Sequence, residues 1–188
     1  MDSKYWSVRY QNKETGWDLG ATSPPLIEIF KTIDKTAKIL IPGCGNAYEA
    51  SFLFNKGYKN VFIIDIAIEP LREFELNNVN FPKQQILHED YFAHHGAYDV
   101  IIEQTFFCAI EPIFRTKYIE KSHELLNEKG ILTGLLFNCS FDGGPPFGGE
   151  RSAYAELFEK KFRHVSIKPC KTSIKPRLGM ELLLRCEK

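Results

Sequence analysis

Apolar runs recur along the chain at intervals that set its architecture. "AKILIP" (37–42), "NVFIIDIA" (60–67), "QQILHED" (84–90), "YDVIIEQ" (98–104) and "GILTGLLFN" (130–138) read as strands, the third weaker than the others. Helix-compatible stretches lie between them at 46–56, at 68–78 with Pro70 in a first turn, and at 112–128 ending at Gly130. Continuous apolar strands separated by helices indicate a parallel sheet covered on both faces. The pattern then changes. "RSAYAELFEKKF" (151–162) reads as a helix, and "RHVSIKPCK" (163–171) and "LGMELLLRCEK" (178–188) as a terminal hairpin at the sheet edge. Two more helices are predicted in the first 36 residues, around 3–11 and 24–34. No repeat, linker or low-complexity tract divides the 188 residues, so they read as one domain.

Charge and cysteine content narrow the partners. The 24 basic and 24 acidic residues cancel, so the chain lacks the basic field a general nucleic-acid binder needs. A small molecule is the expected partner. The cysteines, Cys44, Cys108, Cys139, Cys170 and Cys186, are odd in number and form no C-x-x-C pair. That usage fits reduced thiols in the cytoplasm. "MDSKYWSVRY" holds no apolar signal region, and no run approaches the ~20 apolar residues of a membrane span. A monomer is the default for a neutral chain of this size.

The first strand ends in Pro42-Gly43-Cys44-Gly45. Open parallel sheets bind ligands beyond the carboxyl ends of their strands, and this exit turn is the usual place. Gly43 and Gly45 let a ligand approach the backbone. Asp65 ends the second strand about 20 residues on, where an acid accepts ribose hydroxyls. A dinucleotide fingerprint has a third glycine, and Tyr48 stands in its place. That substitution disfavours a pyrophosphate and favours a nucleoside without phosphates. S-adenosylmethionine satisfies both conditions, with an adenosine for Asp65 and an amino-acid end for the turn. Asp90, after the third strand, is placed to accept from an adenine amino group; alone it reads better as a helix N-cap or solvated loop carboxylate, and its position relative to the turn and Asp65 is what favours the adenine role.

These residues sit in a sequence that resembles the thiopurine S-methyltransferase-like branch of S-adenosylmethionine-dependent methyltransferases, and within it the halide/thiol methyltransferases. The matching pieces are "WSVRYQNKETGWDLGATSPPL" (6–26), "ILIPGCGNAYEA" (39–50), "FIIDIA" (62–67), "EDYF" (89–92), "YDVIIEQTFFCAIEP" (98–112), "LLNEKGIL" (125–132), "GGPPF" (143–147) and "PRLGMELL" (176–183). The resemblance implies an α/β class I methyltransferase fold, Rossmann-like and three-layered. Its seven-stranded sheet is mostly parallel, with one antiparallel strand near the C-terminal edge. It implies S-adenosylmethionine as cofactor, contacted by Trp6, Tyr10, Trp17, Gly43, Asp65, Asp90, Tyr91, Glu103 and Gln104. Many relatives carry Trp at position 10 and Asp at position 103, where this chain has Tyr and Glu.

Methyl transfer from a sulfonium is an in-line displacement that needs alignment and exclusion of water. A soft nucleophile such as a thiol, hydrosulfide, halide or thiocyanate needs no strong base, only a small dry pocket. Trp6 and Tyr10 share a helix face, and with Trp17 they are expected to cover the cofactor, making residues 1–36 a helical cover. Aromatic faces attract a sulfonium by about 2 kcal/mol when desolvated. Phe106, Phe107, Phe147 and Arg177 are the candidate substrate contacts; for the two adjacent phenylalanines ordinary core packing is an equal alternative. Phe147 lies in "FDGGPPFGGER" (141–151), a loop rich in glycine and proline. Arg151 reads as a solvated surface residue. Cys44 and Cys108 lack a histidine partner motif and read as inert. His88, Glu89, His94 and His95 match no closed metal site and read as a polar loop. No catalytic acid, base or metal ligand is assigned. Two other functions compete: a nicotinamide-dependent oxidoreductase on the same kind of sheet, and a non-catalytic cofactor-binding interaction module.

Overall fold

The computed structural model describes residues 1–188. The strands are β1 (Ile39–Pro42), β2 (Val61–Asp65), β3 (Ile86–His88), β4 (Tyr98–Gln104), β5 (Leu126–Phe137), β6 (His164–Pro169) and β7 (Glu181–Glu187). They form one sheet in the order β3-β2-β1-β4-β5-β7-β6. Pairing is parallel from β3 to β5, and β7 runs antiparallel to both β5 and β6. This is the expected sheet, with its single antiparallel strand near the C-terminal edge.

The helices are α1 (Ser3–Gln11), α2 (Pro24–Phe30), α3 (Tyr48–Asn55), α4 (Ile68–Asn77), α5 (Arg115–Leu125) and α6 (Arg151–Glu159). Strand periodicity divides their work. Leu40, Ile64, Ile101 and Leu132 face Tyr118 and Ile119 of α5 and Phe158 of α6. Ile39, Ile41, Ile63, Val100 and Ile102 face the opposite side, against Leu26 and Phe30 of α2, Leu53 of α3 and Phe74 of α4. Burial on both faces explains why these strands read as continuous apolar runs.

Three predicted helices are shorter than expected, the one over 151–162 ending as α6 at Glu159. The helix expected over 24–34 stops at Phe30. The helix expected to run to 128 stops at Leu125, because Leu126 turns to an extended conformation and pairs with Tyr98. The polar Asn127-Glu128-Lys129 segment then bulges outward before the strand resumes at Gly130.

The two N-terminal helices lie in different places. α2 buries Leu26 and Phe30 in the second core, so it belongs to the layer beneath the sheet's other face. α1 buries no residue in either core. Asp2 caps it, accepting from the Tyr5 N–H at 2.9 Å. It lies across the carboxyl end of the sheet, tied to α4 where Gln11 donates to Glu69 at 2.7 Å. No helix is long and apolar enough to cross a membrane.

Chain order reverses at β1, whose neighbours are β2 on one side and β4 on the other. A crevice therefore opens beyond the carboxyl ends of β1 and β4.

Candidate active site

That crevice is a cavity of about 990 Å³. The turn after β1, Asp65, the loop after β3, the turn after β4 and one face of α1 all line it. Of the residues singled out from sequence, Trp6, Tyr10, Trp17, Gly43, Gly45, Asp65, Asp90, Tyr91, Gln104, Phe106 and Arg177 meet here.

The turn after β1 carries three left-handed residues, Gly43, Gly45 and Ala47, with φ of +54°, +50° and +51°. Gly43 has a second reason to be glycine. A Cβ there would stand 2.2 Å from Phe106 Cδ2. Gly43→Ala therefore meets both backbone strain and a ring clash, and is expected to destabilise the fold by about 2 kcal/mol. For a chain of this size a thermal melt should fall by roughly 4–8 °C; an unchanged midpoint would contradict this packing.

Asp65 is 8 % exposed. Its Oδ2 accepts the Gly45 N–H at 3.0 Å and its Oδ1 the Ala67 N–H at 2.9 Å. Burial pushes its carboxyl up, and those amide bonds oppose the shift. Tyr10 points its hydroxyl at Gly45, 3.0 Å from where a Cβ would sit. Trp17 meets Trp6 and Tyr10 edge-on, with centroids at 5.5 and 5.8 Å. Tyr48, in the place of the third glycine, has a structural task. Its hydroxyl donates to Asp18 Oδ2 at 3.2 Å, and the Asn46 amide reaches the same oxygen. Together they hook the Trp17-Asp18 segment over the turn.

At the far end, Asp90 Oδ1 accepts the Phe92 N–H at 2.8 Å, leaving Oδ2 available. Tyr91 is buried, with its hydroxyl 2.7 Å from Ser122 Oγ. His94 lies in the polar loop after β3 but points inward. It is buried, with Nδ1 2.7 Å from Glu89 and Nε2 2.8 Å from the Tyr98 hydroxyl, and so fixes the base of this loop. His95 remains exposed.

Three expected contacts lie elsewhere. Glu103 has no exposed surface. Thr105 takes a left-handed conformation, φ +61°, unusual for a β-branched residue. That turn folds the Phe106 and Phe107 N–H groups back onto Glu103 Oε1 at 2.9 and 2.8 Å, while the Tyr118 hydroxyl donates to Oε2 at 2.7 Å. Glu103 thus shapes the turn and does not line the cavity. Phe107 is a core residue packed on Tyr118, Tyr154 and Phe158. Phe147 sends its N–H to the Cys108 carbonyl at 2.6 Å and stays outside the cavity; Pro145 and Pro146 form the wall instead. Arg151 is exposed. Burial raises the thiols of Cys44 and Cys108, which keeps them protonated.

Sequence reading missed Phe92, Phe137, Phe141, Met180 and Arg9, all of which line the cavity. It also missed Arg115, buried between the Phe107 and Tyr154 rings. Arg115 Nη2 donates to the carbonyls of Phe147 and Gly148 at 3.1 and 2.9 Å and pins the proline loop in place.

The fold is that of class I S-adenosylmethionine-dependent methyltransferases. It superposes with a TM-score of 0.77 at 16% identity on a Burkholderia thailandensis 1,6-didemethyltoxoflavin-N1-methyltransferase solved with S-adenosylhomocysteine, covering 99% of this chain and 86% of that one. A TehB-like S-adenosylmethionine-dependent methyltransferase from Corynebacterium glutamicum gives 0.67 at 16% identity, covering 99% and 97%. Residues 1–177 match the family model described as thiopurine S-methyltransferase, and the chain belongs to that family. Among relatives, it is 30% identical to "Probable thiol methyltransferase 2" of Arabidopsis thaliana and 29% identical to "Thiocyanate methyltransferase 1" of Brassica oleracea. Each match covers 97% of this chain and 84% of the relative. The protein is an S-adenosylmethionine-dependent methyltransferase, and the nicotinamide alternative falls away.

The cavity fits that cofactor. Asp65 keeps an unused lone pair on each oxygen. Gln104 Oε1 is buried and has no partner, an acceptor suited to an ammonium. Gly43 and Gly45 add no side chain of their own to the cavity, and Phe106 and Tyr10 pack beside them.

Proposed function

We propose that this protein methylates a small soft nucleophile: a thiol, hydrosulfide, halide or thiocyanate. S-adenosylmethionine supplies the methyl group on a sulfonium. The observation that carries the reading is the absence of any base on the substrate side. Phe106, Phe137, Phe141, Pro145, Pro146 and Met180 wall it, and no histidine lines the cavity. Burial raises the phenols of Tyr10 and Tyr91, so neither serves as a base near neutral pH. The lining carboxylates lie away from that wall, Glu89 beside His94, Glu111 beside the N-terminal amine and Asp90 at the Phe92 amide. Asp18 is held by Asn46 and Tyr48, Glu49 accepts the Ser23 N–H at 3.4 Å, and Asp65 holds two amides. A nucleophile that arrives already ionised suits such a pocket, and the names of the thiol and thiocyanate methyltransferase relatives agree with it.

In this reading Asp65 and Asp90 hold ribose and adenine. Trp6, Tyr10 and Trp17 exclude water and face the sulfonium, so residues 1–21 act as the cover. Arg177 draws the anion in. It is buried, donates to the Trp17 carbonyl at 2.7 Å, and stands 3.4 Å from Glu181. The five unpaired cysteines suit a reducing compartment, and we place the protein in the cytoplasm as a monomer.

The test is headspace gas chromatography after incubation with S-adenosylmethionine and iodide, thiocyanate, sulfide or a small thiol. A volatile methylated product from at least one is expected. With a thiol the rate should rise with pH through the thiol's own pKa; with iodide it should stay flat. Tight S-adenosylhomocysteine binding with no product from any of these nucleophiles would overturn the soft-nucleophile reading.

A further inference from the structure

Arg9 sits between Trp6 and Tyr10 on the cavity face of α1. Its guanidinium carbon lies 5.5 Å from the ring centroids of both Tyr5 and Trp17. Nη1 donates to the Tyr5 hydroxyl at 2.8 Å. Nε is buried and has no partner. None of the molecule's ion pairs includes Arg9. A guanidinium partly withdrawn from water, its Nε donor unfilled and no anion beside it, is unfavourable unless a ligand brings the anion.

Its place in the cavity says which anion. Asp65 holds the Gly45 amide, Tyr10 reaches Gly45, Tyr10 meets Trp17, and Arg9 stacks on Trp17. That series of contacts leads from the ribose position, past the glycine turn, to the cation. An adenosyl amino acid seated with its ribose on Asp65 directs its amino-acid arm along the same line. The cavity's other side-chain cations are placed differently. Lys117 lies 4.7 Å from the Phe92 ring centroid, at the Asp90 end. Arg177 already donates to Trp17 O and Glu181.

We propose that Arg9 binds the α-carboxylate of the cofactor's amino-acid arm. The proposal rests on the reading of Asp65 as the ribose acceptor. Arg9 offers Nη and Nε donors in the planar fork that carboxylates match. The stacked Tyr5 and Trp17 rings hold the fork in place, so little side-chain freedom is lost on binding.

The test compares two ligands by isothermal titration calorimetry. S-adenosylhomocysteine carries the amino-acid arm; 5′-methylthioadenosine keeps the adenosine and thioether but lacks it. Arg9→Met is expected to weaken S-adenosylhomocysteine roughly tenfold, the worth of one charge-assisted contact, and to leave 5′-methylthioadenosine within about twofold. Arg9→Lys should recover part of the loss, and it carries the comparison if the Met variant folds poorly. An equal loss for both ligands would mean Arg9 only shapes α1 and would overturn the assignment. So would no loss for either. Failure of the underlying reading looks different: wild-type protein would bind neither ligand, or Asp65→Ala would leave both unaffected.

Discussion

Asp65→Ala is expected to weaken S-adenosylhomocysteine binding by more than tenfold. The carboxylate is nearly sealed from solvent at the end of β2 and is fixed by two backbone amides, from Gly45 and Ala67. Those amides leave one lone pair per oxygen, the arrangement that accepts two vicinal hydroxyls. Hydrogen bonds to a charged acceptor are worth about 1.5–3 kcal/mol each, so losing even one passes the tenfold mark. The variant also strands the Gly45 N–H that helps hold the glycine turn. 5′-Methylthioadenosine should lose affinity to the same degree, because it shares the ribose; this is the opposite of the pattern expected for Arg9. Because burial raises the Asp65 carboxyl, affinity should fall on acidification sooner than an ordinary aspartate requires. Unchanged calorimetric dissociation constants for both ligands would remove Asp65 from the ribose role.

The sequence made the sheet legible because its central strands are buried on both faces and so appear as unbroken apolar runs. The glycine turn and Asp65 were legible because their spacing is set by one strand-helix-strand unit. Beyond β4 the sequence is silent about direction. Phe106 and Phe107 are adjacent, yet one lines the cavity and the other lies in the core. Only the left-handed Thr105 decides which, and a β-branched residue gives no warning of that conformation. The same turn takes Glu103 out of the site. Nothing around Arg115 in the sequence signals its role, because the loop carbonyls it holds come from residues more than thirty positions away. For Arg9 a signal existed. Tyr5, Trp6, Arg9 and Tyr10 follow the spacing of one helix face, so the arginine shares the face that the aromatics mark.

Glu103→Gln should flatten the pH dependence of stability between about pH 4.5 and 7. Burial drives the Glu103 carboxyl up to about 7, against the bonds from the Phe107 and Phe106 amides and the Tyr118 hydroxyl. In the unfolded chain it titrates near 4.5. Between these values the native state holds a proton that the unfolded state has released. Stability from this group is therefore fully present below about pH 4.5, declines as pH rises, and levels off above about 7. The span corresponds to about 3 kcal/mol. Glutamine removes it: Oε1 still accepts both amides, and Nε2 can donate to the Tyr118 oxygen. At pH 8 the variant should be at least as stable as the wild type. Glu103→Ala should instead lose on the order of 3 kcal/mol or more at every pH, since it leaves two amides and a phenol unpaired in the core. Urea denaturation at pH 5, 6, 7 and 8 separates these outcomes, and parallel wild-type and Gln profiles would refute the buried-carboxyl account. The Gln variant should also keep its S-adenosylhomocysteine affinity within about twofold, because the carboxyl does not reach the cavity; a tenfold loss would return Glu103 to the site as a direct contact.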